Sequence, residues 1–159
     1  MAEHRGRCVS EVPTERRRFL RGLAAVVGTA VASELPPREI VQPAKADREH
    51  FMRRAFEMQR IARGRGDQNY GALVVKNGQI VGEGVSGVIV KRDPTAHAEM
   101  EAIRDAARRL GTNDLSGCDL YGTAKSCAMC ETAAYWANIS RILYGQSITD
   151  HGPPRYPSC

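Results

Sequence analysis

A three-layer α/β/α domain is the expected fold of this chain, with a sheet covered by helices on both faces. Two patterns point to it. Short apolar runs rich in valine alternate with longer amphipathic segments, and no segment repeats another. The runs "YGALVVK" and "QIVGEGV" flank Asn77-Gly78, the signal of a two-residue β-hairpin. The expected order is helix, strand, strand, helix, strand, helix, strand.

Asp47 can cap the first helix, which runs to about Arg63 with Phe51, Ala55, Met58 and Ala62 in one apolar stripe. Arg48, Arg53, Arg54, Arg60, Arg63 and Arg65 spread around it as a solvated face, and His50 is read as surface polar. "GRGDQN" breaks the chain before the hairpin. "RDPTAHAEMEAIRDAARRLG" is the strongest helix, with Asp93 or Thr95 as its cap and Gly111 as its stop. "CDLYGTA" reads as a strand, "SCAMCETAAYWANI" as a helix capped by Ser126, and "RILYGQS" as a further strand.

The 159 residues suffice for one domain with a sizeable core, and 42% hydrophobic with 26% charged residues is an ordinary globular composition. Five cysteines are too few for a disulfide scaffold of this length. The net charge of +5 is uneven. Residues 1–32 hold six arginines against three glutamates, which leaves a net of +2 for the rest. The basic pI is therefore weak support for a nucleic-acid surface.

Residues 1–32 are read as a twin-arginine signal peptide, with Arg16 and Arg17 as the pair, an apolar run from Leu23 to Ala32, and Ala30-Val31-Ala32 as a cleavage pattern. That run is about half of what spans a bilayer, so no permanent membrane anchor is expected. Export to the periplasm or beyond follows from this reading, and a cytoplasmic protein is the alternative. Residues 33–46, with Pro36-Pro37 and Pro43, are read as linker. Residues 47–150 form the domain and 151–159 an irregular tail.

Two half-motifs carry the chemistry. "PTAHAEMEAI" places His97 and Glu99 in the first turn of one helix, and Cys127 and Cys130 open another about thirty residues on. A lone Cys-x-x-Cys is as readily redox or structural. Here each half-motif opens a helix that follows a strand, and such helix starts gather at the carboxyl ends of the strands. One imidazole and two thiolates converging there make three ligands with one position left open, the pattern of a catalytic zinc. Glu99 is then better used as a base beside the metal's water than as a ligand. His97 and Glu99 stand two apart and do not share a helix face, so the site must lie off the helix tip. Cys118 is expected to be buried packing, Cys8 to leave with the leader, Cys159 to be a tail thiol, and His151 to face solvent.

His97-x-Glu99 with Cys127-x-x-Cys130 resembles the signature of the zinc-dependent nucleobase deaminases. "DPTAHAEMEAIR" and "CAMCETAAYWANISRILYG" are similar to the bacterial guanine deaminase and tRNA adenosine deaminase branch of the cytidine-deaminase-like family, over roughly residues 47–147. The resemblance implies a mixed sheet of four or five strands and one zinc per chain held by His97, Cys127 and Cys130. It also implies that Glu99 moves a proton from the zinc-activated water to the ring nitrogen and then to the departing amine. Tyr70, the backbone near Ala72, Ser86 and Trp136 would meet the substrate. For Tyr135 and Trp136, packing within the core is an equal reading.

Three positions depart from the family's pattern. Lys125-Ser126 stand where Glu-Pro is usual, Ser86 where a substrate-binding asparagine is usual, and Asn69-Tyr70 where Pro-Phe is usual. After residue 147 only "ITDHGPPRYPSC" follows, and its three prolines and glycine argue against another strand. The expected function is hydrolytic deamination of a free nucleobase or nucleoside, guanine first, by a homodimer with no nucleic-acid partner. The alternatives are tRNA adenosine deamination and a catalytically inactive zinc-binding scaffold.

Overall fold

The computed structural model describes residues 38–156. The leader with Arg16 and Arg17, together with Cys8 and Cys159, lies outside them. Eight elements follow in order: α1 (Arg48–Gly64), β1 (Gly71–Lys76), β2 (Gln79–Val85), α2 (Ala98–Leu110), β3 (Cys118–Gly122), α3 (Ala128–Trp136), β4 (Arg141–Tyr144) and β5 (Thr149–Gly152). The strands form one mixed sheet in the order β2-β1-β3-β4-β5, parallel only between β3 and β4.

Strand alternation sorts the core into two layers. Ala72, Val74, Leu120 and Ile142 meet α2 and α3 on one face, while Leu73, Val75, Tyr121 and Leu143 meet α1 on the other. β1 sits between two neighbours and buries its first five residues, which is why it reads as a continuous apolar run. The hairpin turns at Asn77 and Gly78, both at positive φ (50° and 75°), as a twist-matched two-residue turn requires. Gly84 lets β2 lie against the first turn of α2, since a Cβ there would stand 1.9 Å from the Ala98 carbonyl oxygen. No helix among the described residues is long and apolar enough to cross a membrane.

Three expectations are corrected here. The segment expected to be linker packs against the body from residue 38 onward. Ile40 joins the α1-side core, and the Gln42 amide accepts from Ile80 N at 2.8 Å and donates to Ile80 O at 2.9 Å. β2 is an edge strand, and this one side chain satisfies a backbone donor and acceptor that the sheet leaves open. The stretch expected to hold no further strand supplies β5 at the opposite edge, with Thr149 and Asp150 from the end of the expected domain and only His151 and Gly152 from the expected tail. Its prolines begin only at Pro153, so Thr149–Gly152 can pair with β4, and Asp150 accepts from Arg141 at 3.1 Å. The helix caps also move. Asp47 caps α1 as expected, but Asp93 binds Thr95 within the preceding turn and His97 is the N-cap of α2. Cys127, not Ser126, is the N-cap of α3, and the Ser126 hydroxyl is buried without a hydrogen-bond partner.

Candidate metal centre and substrate cleft

β2 and β3 both run antiparallel to β1, so they are parallel to each other and end at the same edge of the sheet. The helices that follow them, α2 and α3, therefore start side by side. At each start the cap position, where serine or aspartate would normally sit, holds a metal-type donor: His97 on α2 and Cys127 on α3. Neither makes a capping hydrogen bond. An N-cap residue has extended backbone, so its side chain projects from the helix tip. That placement resolves the spacing problem of His97 and Glu99, since one stands at the tip and the other in the first turn.

His97 Nδ1, Cys127 Sγ and Cys130 Sγ form a triangle with all three sides 3.6 Å. Zinc–sulfur distances near 2.3 Å and zinc–nitrogen distances near 2.0 Å give tetrahedral edges of about 3.5–3.8 Å. The donors thus already stand on three corners of a zinc tetrahedron. The two sulfurs are far beyond disulfide length, and Cys118, Cys127 and Cys130 are all free thiols. No other cluster of metal-type donors exists among the described residues. Cys118 is fully buried in the sheet, as expected of packing.

Glu99 is 7% exposed, with Oε2 3.7 Å from Cys130 Sγ. Burial pushes its carboxyl above the usual range, against the opposing pull of its own amide. Burial also pushes the Cys130 thiol up, and the neighbouring Glu99 and Cys127 add to this. Two thiols and a carboxylate packed this closely are electrostatically unfavourable as anions unless a cation joins them. The donor set, its geometry and its charge therefore fit a zinc ion held by three protein ligands.

The centre opens into a cleft of about 720 Å³ lined by His97, Glu99 and Cys127 and by Gln59, Gln68, Asn69, Tyr70, Ala124 and Lys125. Tyr70 lines the cleft. The other substrate positions do not. Ala72 is fully buried with its side chain in the α2-side core, and the amide of neighbouring Gly71 is taken by Thr123 Oγ1 at 3.1 Å. Ser86 is buried and donates to Asp67 at 2.8 Å, away from the cleft. Trp136 is neither cleft wall nor core. It is 67% exposed and packs against Tyr135 and Tyr156. His151 does not face open solvent; its Nε2 lies 3.1 Å from Glu131 Oε1.

Asp67 is the residue that motif reading missed. Its carboxylate accepts from Gln68 N (2.7 Å), Ser86 Oγ (2.8 Å), Val90 N (2.8 Å) and Ile89 N (3.0 Å). It thereby ties the cleft segment 68–70 to the loop that delivers His97. The only trace in the sequence is an aspartate within the glycine-rich break "GRGDQN".

A mixed α/β sheet whose strand ends carry three convergent zinc donors, a buried carboxylate and an open cleft defines the class of zinc-dependent hydrolytic domains. Within that class the chain belongs to the family described as the cytidine and deoxycytidylate deaminase zinc-binding region, whose model matches residues 45–146. It is 38% identical over 105 residues to a tRNA-specific adenosine deaminase of Aquifex aeolicus, covering 66% of this chain and 70% of that one. It is 44% identical over 81 residues to a guanine deaminase of Bacillus subtilis, covering 51% of this chain and 52% of that one. A solved structure of guanine deaminase from Bacillus subtilis aligns with TM-score 0.61 at 39% identity, over 62% of this chain and 64% of that one. The match thus spans about half of the curated guanine deaminase.

Proposed function

We propose that this chain is a hydrolytic deaminase of a nucleobase, taken free or as a nucleoside, with guanine the base of first choice. The observation that carries the reading is the 3.6 Å donor triangle with the Glu99 carboxylate beside it. Bound zinc supplies Lewis acidity and a water activated at neutral pH. His97, Cys127 and Cys130 would hold the ion. Glu99, whose carboxyl burial holds above the usual range, carries a proton to the ring nitrogen and then to the departing amine, which leaves as ammonia. Tyr70 offers its ring to the base, and the amides of Gln59, Gln68 and Asn69 offer donors and acceptors along the cleft.

Adenine in tRNA is the second reading, favoured by the likeness to the Aquifex aeolicus relative. The expected exclusion of nucleic acid is therefore not kept. Export by the leader and a homodimeric state belong to the same proposal; cell fractionation tests the first and light scattering the second. The main test is ammonia release by the purified chain from guanine, adenine, cytosine and their nucleosides, with zinc measured in parallel. Glu99→Gln should keep its zinc and lose about 10²- to 10⁴-fold in turnover. Full zinc with no turnover on any of these or on tRNA would overturn the enzyme reading in favour of an inactive scaffold.

A further inference from the structure

We propose that Asp67 and Ser86 are positioning residues of the metal centre, holding His97 at its corner of the donor triangle without touching it. The inference rests on the reading of that triangle as a zinc site. Two hydrogen bonds and two peptide links make the connection. The Asp67 carboxylate accepts from Ser86 Oγ at 2.8 Å, and Ser86 is followed by Gly87. The Gly87 amide donates to the Ala96 carbonyl at 2.9 Å, and Ala96 is followed by His97. Asp67 and Ser86 are both buried, so water does not compete for the bond between them.

Between Gly87 and Ala96 the chain makes a closed loop. The Gly87–Ala96 bond pinches its base, and bonds from Asp93 N to Val88 O (3.2 Å) and from Ala96 N to Asp93 O (3.1 Å) cross it. A compact loop of this kind is normally packed by its own side chains. Here Ile89 and Val90 at the tip are 57% and 59% exposed, so apolar packing does not fix them. The side-chain ties to α2 are Lys91 with Glu101 and Arg104 with Thr95. Both lie on the surface, where solvent competes for such contacts. The buried carboxylate of Asp67 is the stronger anchor. Besides the Ser86 hydroxyl it takes the amides of Val90 at 2.8 Å and Ile89 at 3.0 Å, three charge-assisted bonds onto the loop and its base.

His97 depends on that loop more than a metal ligand usually does. A ligating histidine is commonly oriented by a partner on its second ring nitrogen. Among the described residues the ring of His97 contacts only the two sulfurs, both through Nδ1, and no protein group bonds Nε2. The direction of the ring is therefore set by the extended backbone of the N-cap (φ −64°, ψ 153°), and that backbone is the end of the loop. Ser86 thus acts on the site through the chain and not through the substrate. Cys127 and Cys130 follow β3 by another route, so a loosened loop displaces the histidine corner alone.

The test is zinc affinity of the full chain, by competition with a chromophoric chelator. Ser86→Ala should weaken zinc about tenfold and Asp67→Asn about 10- to 100-fold, the range found when an outer partner of a metal ligand is lost. Loaded with cobalt(II) instead, both variants should shift or weaken the visible bands that mark a four-coordinate thiolate site. Ile80→Ala is the control for loss of stability alone. Ile80 is buried in the α1-side core at the opposite end of β2, beside the hairpin turn. Its truncation leaves a cavity and should lower the melting temperature at least as far, with zinc affinity and cobalt bands as in the parent. Should Asp67→Asn fail to fold, Ser86→Ala decides, since it leaves the amide bonds of the carboxylate in place. Parent-like zinc affinity and cobalt bands in both variants, or an equal loss of zinc in Ile80→Ala, would overturn the proposal. A parent that binds no zinc would overturn it together with the metal reading. A zinc-loaded parent that releases no ammonia would remove the deaminase reading alone, so the two failures are told apart.

Discussion

Gly84→Ala tests whether close packing of α2 on β2 sets the metal geometry. The added methyl would stand 1.9 Å from the Ala98 carbonyl oxygen, 2.6 Å from Ala102 N and 2.9 Å from Ala102 Cβ. All three atoms belong to the helix backbone or its first carbon, so no rotamer change relieves the clash. Ordinary contact begins at 3.4 Å, so the start of α2 must retreat by roughly 1.5 Å. Overpacking of this kind costs typically 1–3 kcal/mol, and a backbone clash belongs at about the upper end. The melting temperature should fall by about 10 °C. His97 stands immediately before Ala98, so the same retreat carries Nδ1 out of the 3.6 Å triangle, and zinc affinity should fall by about 10- to 100-fold. Thermal unfolding with and without zinc, and competition against a chromophoric chelator, read the two effects. Gly64→Ala is the control, since nothing lies within 4 Å of its Cβ position, and it should stay within about 0.5 kcal/mol of the parent or above it. A Gly84→Ala protein with unchanged melting temperature and unchanged zinc affinity would refute the reasoning.

Other outcomes follow from single groups. Cys127→Ser or Cys130→Ser should abolish stoichiometric zinc by elemental analysis, and a strong chelator should lower the melting temperature of the parent but not of these variants. Burial alone would raise the Asp67 carboxyl, but bonds from the Val90, Gln68 and Ile89 amides and the Ser86 hydroxyl outweigh it and hold the group below the usual range. A depressed carboxyl contributes stability that is present above the unfolded value of about 3.9 and lost as pH falls through the folded one. Asp67→Asn should therefore remove part of the acid-limb slope below about pH 4, read by urea unfolding at stepped pH. Burial, with Asp119 adding to it, pushes the Tyr121 phenol up to about 12. A raised group contributes stability that is present below its unfolded value of about 10 and lost as pH rises through the folded one. Tyr121→Phe should then flatten the stability loss between about pH 10 and 12, with phenolate absorbance as the direct check.

The helix starts show one way that function overrides local preference. Serine or aspartate at an N-cap is worth about 1 kcal/mol over a residue that cannot bond the free amides. In α2 and α3 that position goes to His97 and Cys127, neither of which makes the cap bond. The expected caps stand just upstream, Asp93 turned into its own loop and Ser126 buried without a partner. An ion that joins both helix tips offsets what the missing caps withhold, so metal binding and the packing of α2 against α3 should be coupled.

What the sequence determined by itself is whatever depends on near neighbours along the chain. The turn at Asn77-Gly78, the apolar stripe of Phe51, Ala55, Met58 and Ala62, and the stop at Gly111 all follow from local backbone and periodicity, and each appears in the structure. So do the ligand types, because His-x-Glu and Cys-x-x-Cys at two helix starts carry their chemistry in their spacing. Tertiary structure decided everything that depends on what lies across space. Ser86 was aligned with a substrate contact by its place in the chain, yet Asp67, nineteen residues earlier, takes its hydroxyl. Trp136 was open to two readings, substrate contact or core packing, yet the ring is exposed and packs against Tyr135 and Tyr156. The tail looked unable to pair, yet β4 offers an open edge and Thr149–Gly152 precedes the first of the prolines. Hydrogen-bond partners far along the chain and open strand edges leave no periodic mark in a sequence. They exist only once the sheet is assembled, and they decide which residues reach the cleft.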